Sequence, residues 1–341
     1  MGARGTAIGL RIAQAIPVLF GVIVISFLLT RALPGDPAAQ FAGAMATEES
    51  IEQVRTSLGL DKPLVTQFGL YLGQLARGDL GQSVSTGQPV IEELASRLPA
   101  SLELTLFALI LSCAVAIPLG VLAATRPGSW VDQLCRLLVT AGVSLPTFFT
   151  GIVLVYVFYY LLGIAPSPLG RLDFIYLDPP HVTGFFLIDA ALAGDWETWF
   201  GALKQLILPG LTLALFTLAP IARMTRAAML SALSADYVRT ARAAGLAPRK
   251  VLYGYAFRNA LLPVVTTLGM VFSFVLGANV LVEKVFAWPG IGSYAVEALV
   301  VSDYAAVQGF VLSMALLFVL LNLIIDLAYS VIDPRFGTSA K

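Results

Sequence analysis

Side chains able to do chemistry are sparse in this sequence, and their spacing excludes most catalytic arrangements. One histidine, His181, follows Pro179 and Pro180 in a loop, too little for a His-based metal site or a His general base. The strings Gly-x-x-x-x-Gly-Lys-Ser/Thr, His-Glu-x-x-His and Gly-x-Ser-x-Gly are absent. No phosphate-cradling loop, zinc-protease helix or nucleophile elbow is therefore encoded. Cys113 and Cys135 fall in or beside apolar runs and read as small packing residues rather than a disulfide. What remains is docking chemistry. Asp236 to Leu246, reading DYVRTARAAGL, is a polar, basic, helix-forming island between two long apolar runs. A block of this kind, held outside lipid, offers its charges to a partner in the water.

A second set of polar groups lies within the apolar runs. Asn322, Asp326 and Tyr329 fall at i, i+4 and i+7, on one helical face. A charge at mid-bilayer costs about 2.5–3.5 kcal/mol on insertion scales. Asp326 stands about 9 Å from the end of its run at 1.5 Å per residue, so its cost is smaller. Two readings stay open: a pathway or gate residue, or a hydrogen bond between helices. Asn279 and Glu283, near the outer end of the fifth run, either line an outer gate or mark the water boundary.

The elements that carry these residues follow from composition. Of 341 residues, 58% are hydrophobic and 12% charged, against about 25% charged in soluble domains. A chain this apolar cannot cover a water-soluble globule. Its net charge of zero gives no strong field toward nucleic acid. A bilayer span needs roughly 20 mostly apolar residues, and six runs qualify: Ile12 to Thr30, Leu104 to Ala124, Leu134 to Leu162, Leu206 to Ile221, Leu261 to Val282 and Val307 to Ile332. Pro118, Pro146 and Pro209 lie in or beside these runs and predict kinks. The first run exceeds the usual signal-peptide core and ends in no small-x-small site, so it reads as a span.

Basic residues set the orientation. With the N-terminus in the cytoplasm, the inner side carries thirteen Lys and Arg against three acids, and the outer side eight against seventeen. Both termini are then cytoplasmic. The domain reading is a tail and first helix over 1–32, an extracytoplasmic segment over 33–100, a transmembrane core over 101–335 with a cytoplasmic loop over 222–260, and a tail over 336–341. Within 33–100, a turn cluster at Pro34-Gly35-Asp36-Pro37 precedes two helices, near Glu48 to Leu58 and Leu64 to Ala76, and Gly78 to Gly81 breaks the pattern. The loop from Gly163 to Lys204 reads as irregular. Trp288-Pro289-Gly290 reads as a turn, with Trp288 anchored at the headgroups.

Within the island, Asp236 suits a first helical turn, where its charge meets the positive end of the dipole. Val238, Ala241 and Ala244 share a face, with Arg239 and Arg242 beside it. Gly245 suits C′ and Pro248 the first position of a second short helix through Val251, Leu252 and Tyr255. Two short helices joined at Gly245 make a knob whose small-residue face can dock in a groove. The plainer reading is a basic juxtamembrane loop that fixes topology or touches anionic lipid.

This loop resembles the coupling loop of ATP-binding-cassette importer permeases. That family's pattern is Glu-Ala-Ala, three residues, then Gly; here Arg239-Thr240-Ala241 precedes Gly245, so the second Ala and the Gly match and the Glu does not. Arg239-Thr240-Ala241-Arg242-Ala243-Ala244-Gly245-Leu246 and Arg258-Asn259-Ala260-Leu261-Leu262-Pro263 are similar to the dipeptide/oligopeptide branch. So are Phe27 to Pro37, Leu58 to Pro63, Arg77 to Gly81, Trp288 to Gly292, Asn322 to Tyr329 and Asp333-Pro334-Arg335, in order along nearly the whole chain. The resemblance implies an all-α polytopic membrane protein: six transmembrane helices in the type I importer permease fold, with an extracytoplasmic insert after the first helix. It implies a pathway-forming subunit in a bacterial inner membrane, paired with a second homologous permease. Two ATPase subunits would carry ATP and Mg, this chain holding no cofactor, and an extracytoplasmic substrate-binding protein would deliver cargo. Contacts to the ATPase would come from Arg239, Thr240, Ala241, Arg242, Gly245, Leu246, Pro248 and Val251. Di- or oligopeptides are the cargo implied first, with glutathione, peptide conjugates and chelated nickel as alternatives. A different class, an ion-coupled secondary transporter or channel, needs several buried acids or broken helices at mid-membrane; Asp326 is the one clear intramembrane acid in the sequence. A membrane-bound enzyme is a third class, disfavoured by the motif absences above.

Overall fold

The computed structural model describes residues 2–32, 37–42, 46–57 and 59–332. Among them the chain is helical, with one isolated antiparallel bridge between Gln82 and Pro89. The helices are α1 (Gly2–Ala32), α2 (Pro37–Ala42), α3 (Glu48–Ser57), α4 (Leu64–Leu75), α5 (Val90–Thr125), α6 (Trp130–Ser144) and α7 (Thr147–Leu154), the last continued by a π-helix over Val155–Leu161. There follow α8 (Phe186–Ala193), α9 (Trp196–Ser234), α10 (Asp236–Ala243), α11 (Pro248–Lys250) leading through a π-helix over Val251–Phe257 into α12 (Arg258–Val285), α13 (Ile291–Val300) and α14 (Tyr304–Ile332).

Among the described residues, four continuous helices are long and apolar enough to cross a bilayer: α5, α9, Pro248–Val285 and α14. A fifth candidate is the pair Trp130–Gly142 and Thr147–Leu161, bent by 104°. The first apolar run lies within α1, 31 residues long, whose described apolar stretch is Ile16–Leu28. The chain is thus a multi-pass membrane protein. The kink expected at Pro146 is a full break. Leu145 has φ −106° and ψ 135°, the extended backbone that a following proline imposes. Pro118 and Pro209, by contrast, sit inside unbroken helices of 36 and 39 residues. The turn cluster at 34–36 and the Asp333-Pro334-Arg335 string lie outside the described residues.

The chain divides into two compact units, one built on Pro99–Gly290 with the end of α14, the other on Thr6–Leu98 with Ile291–Leu320. In the first, Leu104, Leu206, Leu213, Ile221, Val275, Val282 and Trp288 form the centre of the core. Its helices meet closely through small residues. A Cβ on Gly120 of α5 would stand 2.7 Å from Thr225 of α9, the short-range packing that substitutes for a hydrophobic drive in lipid. Trp288 is not a headgroup anchor. It is buried, and its Nε1 donates to the Ala100 carbonyl at 2.9 Å. An indole needs a partner once dry, and the turn after α12 brings the ring to α5.

In the second unit, α3 and α4 occupy the two stretches expected from sequence. Gly78 and Gly81 take φ of +76° and +83° and end the helical pattern. The turn that follows is held by one buried carboxylate. Asp303 Oδ2 accepts from Ser83 Oγ at 2.6 Å and from the Ser85 amide and hydroxyl at 3.1 Å, while Oδ1 accepts from the Ala306 amide at the start of α14.

Candidate coupling site

The island forms the expected helix. α10 starts at Asp236, and Gly245 lies two residues past its end with φ +73°, the left-handed position that closes a helix. The Gly245 amide donates to the Arg242 carbonyl at 3.0 Å and the Leu246 amide to the Ala241 carbonyl at 3.3 Å. Two other expectations are corrected. The residues after Pro248 are not a separate short helix; α11 and the π-helix are the first turns of the long helix that becomes α12. The small-residue face is not free to dock. Val238 and Ala241 are buried with Met229, Ala232, Val251, Ala256 and Ala260, and with Val121 and Ala124 of α5. Ala244, placed on that face by periodicity, is exposed.

The knob therefore presents its polar side. Arg239, Thr240, Arg242, Gly245 and Pro248 are exposed, Leu246 is half-buried, and Ala241 and Val251 face the core. Arg239 pairs with Asp236 at 3.4 Å with both side chains largely in solvent. Such a pair contributes little to stability, so Arg239 is available to another acid at small cost. Apolar burial on one face fixes the helix and leaves a basic, small-side-chain surface on the other.

Beside the knob lies an arrangement that sequence reasoning missed. Asp132, near the start of α6, is buried. It accepts from Arg226 of α9 through both Nε and Nη2, from the Gly128 amide at 3.0 Å and from Arg136 at 3.2 Å. Ser129 caps the same helix through the Asp132 amide. Arg226 sits one turn before Met229, whose side chain belongs to the knob's own core. The available signal was Ser-Trp-Val-Asp at a helix start, a capping pattern; Arg226, 94 residues away, carries no such mark.

Asn279 and Glu283 do not mark a water boundary. Both are buried on α12. Glu283 Oε1 accepts from Ser101 Oγ of α5 and from Asn279 Nδ2 at 3.0 Å. Asn279 also reaches the Ser101 carbonyl and Thr105 Oγ1 at 3.4 Å each. Gly290 closes the cluster: a Cβ there would collide with the Glu283 carboxylate and Ser101 Oγ. These residues tie α5 to α12 through polar contacts. Asn322 is exposed on α14, and the side chains of Asp326 and Tyr329 lie outside the described residues. The structure thus brings Asn279 together with Glu283 and keeps both apart from α10.

Sequence comparison assigns this bundle of apolar helices to a family of transport components. Residues 116–338 match the family described as binding-protein-dependent transport system inner membrane component, and residues 8–105 match the N-terminal region of such components. The chain belongs to this family. Across 94% of its length and 94% of the relative's, it is 47% identical to the probable D,D-dipeptide transport system permease protein DdpB of Escherichia coli. It is 41% identical to the di/tripeptide transport system permease protein DppB of Pseudomonas aeruginosa over 95% of this chain and 96% of that one. The dipeptide transport system permease protein DppB of Alkalihalophilus pseudofirmus is 39% identical over 95% and 97%.

Proposed function

We propose that this chain is a permease subunit of an ATP-driven importer of di- or oligopeptides, forming half of the pathway and receiving energy through α10. What supports the reading is the near full-length likeness to permeases named for dipeptide transport, joined to an exposed basic knob whose inner face is locked to the bundle. A second, related permease completes the pathway. Two ATPase subunits hold ATP and Mg, and an extracytoplasmic binding protein delivers cargo. Both termini and α10 face the cytoplasm, and the membrane is a bacterial inner membrane.

In this reading, ATP binding draws the two ATPase subunits together and each pulls on one knob. The knob moves with α9, α12 and the cytoplasmic end of α5, because their side chains share one core. The pathway then opens outward, and hydrolysis resets it. ATP must bind one state better than the other, since equal affinity shifts no population.

The cargo test follows from the relatives' names. Proteoliposomes holding the purified complex with its binding protein are given labelled L-Ala-L-Ala or D-Ala-D-Ala, with and without ATP inside. ATP-dependent uptake of either supports the proposal and selects the stereochemistry. Solute accumulation by this chain alone, with no nucleotide, overturns it in favour of a secondary transporter.

A further inference from the structure

Between the outer end of the α7 helix pair and α8, a loop displays bare apolar side chains. Phe174, Ile175 and Leu177 are 84%, 79% and 88% exposed. The loop is nevertheless firmly built. Arg171 is buried, bonded to Glu103 of α5 and to the Gly184 carbonyl, with its guanidinium over the Phe186 ring. The Ile175 and Tyr176 amides both turn back onto Asp173. Asp189 accepts the Val182, Thr183 and Gly184 amides. These bonds hold the backbone of the segment in place while Phe174, Ile175 and Leu177 project away from the rest of the chain.

Its depth can be read from α9. Tyr176 lies against Gly201, where an added Cβ would stand 2.9 Å from the ring. Trp196 and Phe200 are exposed on the same helix, and Trp199 stacks edge-on to both. Tryptophan at the end of a span marks the headgroup level. Gly201 is five residues further in, about 7 Å along the axis. Lys204, exposed about 4–5 Å deeper still, bounds the hydrocarbon, since an ammonium reaches back to the interface. With Trp196 at the headgroups and Lys204 at the hydrocarbon edge, Tyr176 falls at a level between them. Interfacial elements occupy this layer, burying their apolar face about 5–10 Å.

We propose that Asp173–Leu177 is an interfacial anchor whose partner is phospholipid, in the leaflet at the end of α9 distant from α10. Phe174, Ile175 and Leu177 enter the headgroup–acyl boundary, and Asp173 and Asp178 stay at its polar surface. Ile188 and Leu192 are likewise exposed on α8. The adjacent acids give anionic lipid no advantage. A protein partner would more plainly suit a segment standing above the tryptophan level than one beneath it.

The test uses the full complex in nanodiscs, with Cys113 and Cys135 replaced and Ile175→Cys carrying an NBD fluorophore. We expect blue-shifted emission, protection from aqueous iodide, and about a twofold loss of fluorescence with phospholipid spin-labelled near the headgroup. A Gln88→Cys probe should show free iodide access and no lipid quenching. Iodide access at position 175 without lipid quenching overturns the proposal. Protection that appears only when the binding protein is added also overturns it, and assigns the segment to that protein. Replacing both Phe174 and Leu177 with Ser should move the Ile175 probe toward water; unchanged quenching in that variant counts against an anchor built by these side chains.

Discussion

Arg226 of α9 grips the buried carboxylate of Asp132 at the start of α6, with Nη2 at 3.0 Å from Oδ2 and Nε on Oδ1. Arg136 touches the same carboxylate from a side chain 66% exposed. Loss of one partner of a buried pair strands a charge, whereas loss of an exposed one costs little. Arg226→Ala should lower stability in mild detergent by about 1–3 kcal/mol, less than for a fully stranded charge because Arg136 and the Gly128 amide still hold the carboxylate. Arg136→Ala should cost about 0–1 kcal/mol. Equal effects in thermal unfolding would mean that Arg226 is not the principal partner.

Gly245 is surrounded by open space, with nothing within 4 Å of an added Cβ, yet its φ is +73°. Any effect of substitution is then a backbone effect. Gly245→Val should destabilise the α10 end by about 1–2 kcal/mol and reduce co-purification of the ATPase subunits while the protein stays in the membrane. Gly245→Asn, which tolerates a left-handed backbone, should retain more. Full co-purification and uptake by the Val variant would remove α10 closure from the coupling device.

The two faces of α10 should separate in mutagenesis. Val238→Asp places a charge in a site with no exposure and should abolish folded protein, judged by size-exclusion behaviour. Arg239→Glu and Arg242→Glu change solvated side chains, where stability effects stay within about 0.5 kcal/mol. They should leave yield intact and lower both ATPase association and cargo-stimulated hydrolysis. Normal hydrolysis in the double variant would place the ATPase contact elsewhere.

Periodicity identifies α10 and its left-handed end correctly, because caps and breakers act through local backbone geometry: Asp236, Gly245 and Pro248 each carry their own instruction. It does not say which face of α10 turns inward. Val238 and Ala241 share a stripe with the exposed Ala244, and only the position of Met229, Val251 and Ala260 decides the matter. Long-range polar pairing is equally hidden. Glu283 and Asn279 read either as an outer gate or as markers of the water boundary because they stand at the end of an apolar run; their partners Ser101 and Thr105 lie more than 170 residues earlier. Trp288 misleads for the same reason, its acceptor being the Ala100 carbonyl. Pro146 is legible as a disturbance but not as a 104° break, because a proline alone does not reveal whether the helix is held straight by its neighbours. Pro118 and Pro209 show the other outcome.

Acid should loosen the loop before α8. Burial pushes the Asp189 carboxyl up, but Thr183 Oγ1 and the Thr183, Gly184 and Val182 amides outweigh it and leave the pKa below its ordinary 3.8. A depressed carboxylate contributes stability above its unfolded pKa and loses it as pH falls through the folded one. Amide exchange at Thr183 and Gly184 should be slow at neutral pH and accelerate, after correction for intrinsic rates, only below the ordinary carboxylate value. Asp189→Asn should cost about 1–3 kcal/mol at neutral pH and nearly nothing once the parent carboxyl is protonated. A penalty of equal size at both ends of the pH range would rule out the carboxylate as its source.

Orientation is the remaining consequence of the charge asymmetry, and the structure chooses the positions that test it. Thr240 is exposed on α10. Ser85 is a poor reporter on the other side, since its amide and hydroxyl both bind Asp303; Gln88 is exposed in the same turn. Cys135 is buried and Cys113 half-buried, so both are replaced by Ala to silence the background. In intact cells, an impermeant maleimide should label Gln88→Cys and spare Thr240→Cys, and disruption of the membrane should make Thr240→Cys reactive. The reverse pattern would put α10 outside, where no ATP is available, and with it would fall the reading of α10 as the point where energy enters.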